Sequence, residues 1–157
     1  MAVTFSHLGI CVSDLDRSLR FYCEGLGFTE AESHSVGPEF AALMELGDVA
    51  VESRFIERDG VRIELLGFRN PPPVGDAARR PMNALGLTHL CVRVDDVDEV
   101  SAALEAVGGT VVRSTRTTLE LGAAPLDFVY CTDPDGVRIE LMRLPAGAAP
   151  PRSRPSR

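Results

Sequence analysis

Asp59-Gly-Val-Arg-Ile-Glu-Leu65 and Asp135-Gly-Val-Arg-Ile-Glu-Leu141 are the same seven residues, met twice in one chain of 157. An identical heptapeptide in so short a chain marks a duplication. The duplication governs the fold, because each copy has to be one supersecondary unit. A looser match supports it: Phe5-Ser-His-Leu-Gly-Ile-Cys-Val-Ser-Asp-Leu-Asp16 is similar to Leu87-Thr-His-Leu-Cys-Val-Arg-Val-Asp-Asp-Val-Asp98. The second copy is shorter between its two matches by one loop's length. Module one then spans residues 3–68 and module two residues 87–144. They are joined by a linker over 69–86 that opens Arg69-Asn-Pro-Pro-Pro-Val-Gly-Asp76, and a tail follows over 145–157.

Within each copy the pattern is the same. Val3–Val12 mixes apolar with small residues and predicts a strand. Asp14 then precedes Leu15, Leu19, Phe21 and Tyr22 at helical spacing, with Gly25 behind. Further strands are expected near Phe28–His34, Val49–Glu57 and Val61–Phe68, while the Ala, Leu and Met residues of Glu39–Leu46 suit a short helix. The second copy predicts a strand over Leu87–Val94, a helix over Val97–Val107, and strands near Thr110–Ser114, Asp127–Thr132 and Val137–Leu144. Arg58-Asp-Gly60 and Asp133-Pro-Asp-Gly136 are the matching turns. The fold class is α+β, a βαβββ unit used twice.

Composition narrows the function classes. Hydrophobic content of 45% and charged content of 25% are those of an ordinary globular chain. The net charge of -7 repels phosphate backbones, so nucleic acid is not an expected partner. No apolar run approaches the roughly 20 residues that span a membrane, and the N-terminus carries no secretory signature, so a cytoplasmic address is expected. Cys11, Cys23, Cys91 and Cys131 form no CxxC pair and read as reduced, small core residues. The basic tail Pro150–Arg157 reads as a frayed end.

His7 and His89 hold equivalent places at the opening of each module, and Glu64 and Glu140 equivalent places at its close. Alone, each reads as a solvated or structural side chain. Packed about a pseudo-two-fold axis, two imidazoles and two carboxylates converge. The carboxylates would repel unless one took up a proton or a cation lay between them. An N₂O₂ set without thiolate suits one divalent ion, with Ni, Co, Zn, Mn or Fe all acceptable by ligand type.

The βαβββ duplication, Ser6-His7-Leu8-Gly9-Ile10, Thr88-His89-Leu90, Phe21-Tyr22 before Gly25-Leu26-Gly27-Phe28, and Asp133-Pro-Asp-Gly-Val-Arg-Ile-Glu140 together resemble the vicinal oxygen chelate superfamily. That group includes glyoxalase I, methylmalonyl-CoA epimerase, extradiol dioxygenases and bleomycin- and fosfomycin-resistance proteins. The resemblance runs over residues 3 to 144 and implies a glyoxalase-like curved-sheet cleft. It also implies His7, Glu64, His89 and Glu140 as metal ligands, with the ion acting as Lewis acid while a proton leaves the carbon next to a carbonyl. Glu140 or Glu64 is nominated as the base. A homodimer is implied too, with the metal site in some relatives completed across the dimer.

Two positions depart from the glutathione-dependent glyoxalases, which often carry Arg four residues after the first His and Asn four after the first Glu. Cys11 and Phe68 stand there, on the ligand face of their strands. The expected substrate is therefore a small carbonyl compound other than a glutathione adduct. Methylmalonyl-CoA epimerases often have Gln at the place of Glu64. Arg93, on the His89 face, is expected to meet a substrate anion or an acidic neighbour, and Tyr130 to wall the pocket. The expected function is a lyase, isomerase or epimerase. An Fe(II) extradiol-type dioxygenase and a non-catalytic small-molecule (antibiotic) binding protein stand as alternatives.

Overall fold

The computed structural model describes residues 2–120 and 125–145; the basic tail lies outside the described residues. Eight strands and two helices follow in order. They are β1 (Leu8–Val12), α1 (Leu15–Leu19, continuing as a π-helical turn over Arg20–Gly25), β2 (Thr29–Val36), β3 (Ala50–Arg58), β4 (Val61–Asn70), β5 (Leu90–Arg93), α2 (Val97–Ala106), β6 (Thr110–Leu119), β7 (Leu126–Thr132) and β8 (Arg138–Arg143). The strands form two four-stranded sheets, ordered β1-β4-β3-β2 and β5-β8-β7-β6. In each, the first strand lies parallel to the last and the hairpins are antiparallel. The tandem βαβββ fold is the one the repeat predicts.

Local chemistry sets the element ends. The Asp14 carboxylate accepts from the Arg17 N–H at 3.0 Å, and Asp96 accepts from the N–H groups of Asp98 and Glu99, so both helices start on an acidic N-cap. Between β3 and β4, Asp59 and Gly60 have φ of 51° and 78°. Positive φ at both central residues of a two-residue hairpin loop is the reason for an Asp-Gly pair there.

Period-two alternation then sorts the faces. Ile10, Val12, Ile63 and Leu65 in the first sheet, and Leu90, Val92, Ile139 and Leu141 in the second, turn toward the helices. All eight join Phe21, Tyr22, Val97 and Leu104 in one contiguous core that both modules share. The seam is also polar. The Tyr22 hydroxyl donates to Asp133 at 2.9 Å, the Ser13 N–H donates to Asp135 at 2.9 Å, and Arg17 pairs with Asp135 at 2.9 Å. Burial pushes the Asp133 carboxyl up, even though donors from Val137, Tyr22 and Asp135 oppose the rise. Tyr22 is held well above its ordinary value, first by burial and then by the Asp133 charge.

Several expectations need correcting. The first strand begins at Leu8 rather than Val3, since its ladder with β4 starts at the Leu8–Ile63 pair; Val3 and Phe5 stand exposed. The fifth begins at Leu90 rather than Leu87. Glu39–Leu46 holds no α-helix; a short 3₁₀ turn, Pro38–Phe40, overlaps its start and runs on into turns. All four cysteines are free, but Cys11 and Cys91 are exposed rather than core, since their parity turns them away from the helices.

Candidate metal centre

Each histidine is the residue immediately before its module's first strand, and each glutamate lies on its last strand, two positions over in the parallel ladder: Gly9 faces Glu64 and Cys91 faces Glu140. The result is two imidazole–carboxylate pairs. His7 Nε2 lies 3.2 Å from Glu64 Oε2, and His89 Nε2 lies 2.8 Å from Glu140 Oε2. Both pairs stand on the sheet face opposite the shared core. Among the described residues no three His, Cys, Asp or Glu side chains converge on one point, so the structure holds two half-sites rather than one closed quartet.

The half-sites are copies in their surroundings as well. Ser6 Oγ lies 2.9 Å from His7 Nδ1, and Thr88 Oγ1 lies 2.9 Å from His89 Nδ1. A hydroxyl can donate or accept, so it satisfies Nδ1 in either tautomer. With the Nε2 lone pair given to a cation, Nδ1 carries the proton and donates to the hydroxyl, which fixes the ring. Edge-on aromatic contacts repeat too: Phe55 meets His7 at 5.2 Å, and Tyr130 meets His89 at 5.6 Å. A guanidinium caps each aromatic ring, Arg62 over Phe55 at 4.3 Å and Arg138 over Tyr130 at 5.4 Å.

The two glutamates differ. Ser53, fully buried, donates to Glu64 Oε1 at 2.6 Å. Glu140 has no hydroxyl in that place; beside it lies the Cys91 thiol, pushed up to about 11 by burial first and then by the Glu140 charge and hydrogen bond. Tyr130 is also raised, by burial and then by Glu140. Cys11 is raised by burial and then by Asp135, so neither exposed thiol is a ready nucleophile.

Of the remaining expected residues, Tyr130 is half-buried against His89, and Phe68 is half-buried on β4 in the parity of Glu64. Cys11 lines a cavity with His89. Arg93 lines another, of about 820 Å³, with His89 and Cys91. His34 is exposed, as expected, paired with Glu32 at 3.1 Å. Ser53 and Phe55 were not expected. Phe55 had a signal, the aromatic repeated at Tyr130, whereas Ser53 had none.

The residues fit a divalent ion by donor chemistry: two neutral-capable Nε2 atoms, each beside a carboxylate oxygen and each backed by a hydroxyl. A chain of two βαβββ modules around one core, with an imidazole–carboxylate pair on the open face of each, defines a class of paired-module folds. Residues 4–141 match the family model of the glyoxalase/bleomycin resistance protein/dioxygenase superfamily, and the chain belongs to that family. It is 33% identical over 138 residues to the uncharacterized protein YaeR of Escherichia coli, covering 86% of this chain and 92% of that one. It is 30% identical over 155 residues to a 2-epi-5-epi-valiolone epimerase of an Actinomyces species, covering 94% and 82%. A glyoxalase family protein from Bacillus cereus superposes with a TM-score of 0.77 at 25% identity, covering 91% and 95%. No helix among the described residues is long and apolar enough to cross a membrane.

Proposed function

We propose that the chain is a divalent-metal-dependent epimerase or isomerase that moves a proton on the carbon next to a carbonyl of a small molecule, with His7, Glu64, His89 and Glu140 holding one ion once the two half-sites are brought together, within one chain or across a dimer. The observation that carries the reading is the repeated pair, each Nε2 turned to a carboxylate and each Nδ1 backed by a hydroxyl, at equivalent places in both modules. The epimerase relative supports the reaction type. A bound divalent ion supplies Lewis acidity that makes the hydrogen beside the carbonyl acidic.

The residues divide the remaining work. Glu64 is fixed by the buried Ser53 hydroxyl and stays a ligand. Glu140, which meets the weaker Cys91 thiol in place of a hydroxyl, takes the proton at its Oε2 and returns it. Return to the neighbouring atom gives isomerisation, and return to the same carbon after it has turned its other face to Glu140 gives epimerisation. Phe55, Tyr130 and Phe68 exclude water beside the reacting atoms, which strengthens the electrostatics there. A homodimer belongs to the same reading, since among the described residues each sheet leaves an outer edge, β2 or β6, without a strand partner; light scattering on the purified chain tests it.

Metal analysis of the dialysed protein, coupled to solvent-deuterium incorporation into a panel of ketones and thioesters, is the test. One ion per chain is expected, lost in His7→Ala and in His89→Ala alike, with deuterium entering only the metal-loaded samples. Uptake of no ion, or of two per chain with each variant losing one, would sink the shared site.

A further inference from the structure

The heptapeptide repeat gives both modules an arginine two residues before the glutamate, and the two arginines have diverged in what neutralises them. Arg62 pairs with Glu32 at 3.0 Å and Glu57 at 3.4 Å. Arg138 is 8% exposed and pairs with no carboxylate among the described residues. Its guanidinium donates to the Arg80 carbonyl at 2.8 Å and the Thr88 carbonyl at 3.4 Å, and stacks on Tyr130. Identical local sequence thus yields one neutralised cation and one left with only dipoles and a ring face. A nearly buried charge in that state is costly unless a counter-ion reaches it.

Space for one is present. Arg138 lines a cavity of about 300 Å³ at the seam between β1 and β5, roofed by the linker and walled by Leu8, Ile10, Leu87 and Val137, with His89 also in its wall. Arg80, from the linker, lines it as well; its guanidinium donates to the Leu85 carbonyl at 2.6 Å and has no carboxylate partner among the described residues. Asp135 is the acid in that wall, and it is already engaged by Ser13 and Arg17. The volume suits a small molecule, and a guanidinium fork matches two oxygens of one anion.

We infer that this cavity binds an oxyanion borne by the ligand, a carboxylate or a phosphate ester, with the exposed Arg80 making the contact and Arg138 supplying charge beneath it. The reading above is needed only for calling that ligand the substrate, whose reacting carbon then lies at the His89 end. Specificity for an acid would thus come from the linker and the second copy's arginine, not from β5.

Malonate, inorganic phosphate and uncharged dimethyl malonate are titrated into the ¹⁵N-labelled full chain, metal-loaded and EDTA-treated. The anions are expected to shift the amides of Ala78, Leu87, Thr88 and Gly136 in both preparations, and the diester to leave them. Arg80→Glu, a change at an exposed linker residue, is expected to weaken anion binding about tenfold or more, with Arg80→Lys between. Tighter malonate identifies a carboxylate ligand and tighter phosphate a phosphate ester; either supports the site. Absence of shifts with both anions, equal binding of the diester, or an unchanged affinity in Arg80→Glu overturns it. Anion binding in a chain that takes up no ion would leave the cavity standing and remove the metal reading. Ion uptake without anion binding would do the reverse.

Discussion

Ser53→Ala removes one oxygen and tests the claimed difference between the two glutamates. Ser53 is fully buried and its hydroxyl lies 2.6 Å from Glu64 Oε1. A buried hydrogen bond to a charged group contributes about 1.5–3 kcal/mol. The Glu64 side chain keeps 19% of its exposure, so water replaces part of the loss. That discount brings the expected destabilisation to about 1 kcal/mol, or roughly 2–4 °C of Tm for a chain of this size. If the hydroxyl also aims the carboxylate, metal affinity falls by about tenfold, as for other groups that orient a ligand. Urea unfolding measures the first quantity and competition with a chromophoric chelator the second. Unchanged values of both would refute the assignment of Glu64 as the held ligand. A stability loss with unaltered affinity would leave Ser53 a packing residue and reopen which glutamate is the base.

Glu140→Gln keeps size and polarity but removes the proton acceptor, so deuterium exchange should fall by roughly 10²–10⁴-fold while the fold is kept; exchange at the wild-type rate would exclude Glu140 as base. For Asp133 the folded pKa is raised, so between its ordinary value near about 3.9 and the raised one the folded state holds the extra proton. Stability therefore falls as pH rises through that window, and Asp133→Asn should flatten the slope of the urea midpoint there; a slope equal to wild type would contradict this. A Cβ on Gly109 would come within 2.6 Å of Phe21 and 2.9 Å of the Leu104 carbonyl, where the backbone cannot yield. Gly109→Ala should thus cost about 1–3 kcal/mol in denaturant unfolding, and a neutral outcome would mean the inter-module packing is loose.

The duplication was legible because Asp59–Leu65 and Asp135–Leu141 are identical, and strand parity put Glu64 and Phe68 on one face without any structure. Where β1 begins was not legible. The apolar pattern continues back to Val3, and only the register with β4 stops it at Leu8. Ser53 was hidden for a related reason: what it touches depends on the β3–β4 register, which pairs it with Leu66 beside Glu64, a fact no local pattern carries. The pairing of each histidine with its own module's glutamate also depends on the parallel β1–β4 and β5–β8 ladders, which close across long connections. Arg62 and Arg138 make the point most sharply, since among the described residues the same seven letters give one arginine two acids and the other none.

The shared core has a consequence for the chain as a polymer. Phe21 and Tyr22 from the first half share one core with Leu104 and Ile139 from the second, so either half made alone would leave part of that core open to water. The molecule is in effect two subunits on a tether, and the tether's part is to keep their mutual concentration high. A nick at Val74, which is fully exposed, should leave the fragments bound to one another until the core itself unfolds. Because the two halves need not be identical, their open faces differ, with Ser53 backing Glu64 in one and Cys91 lying beside Glu140 in the other.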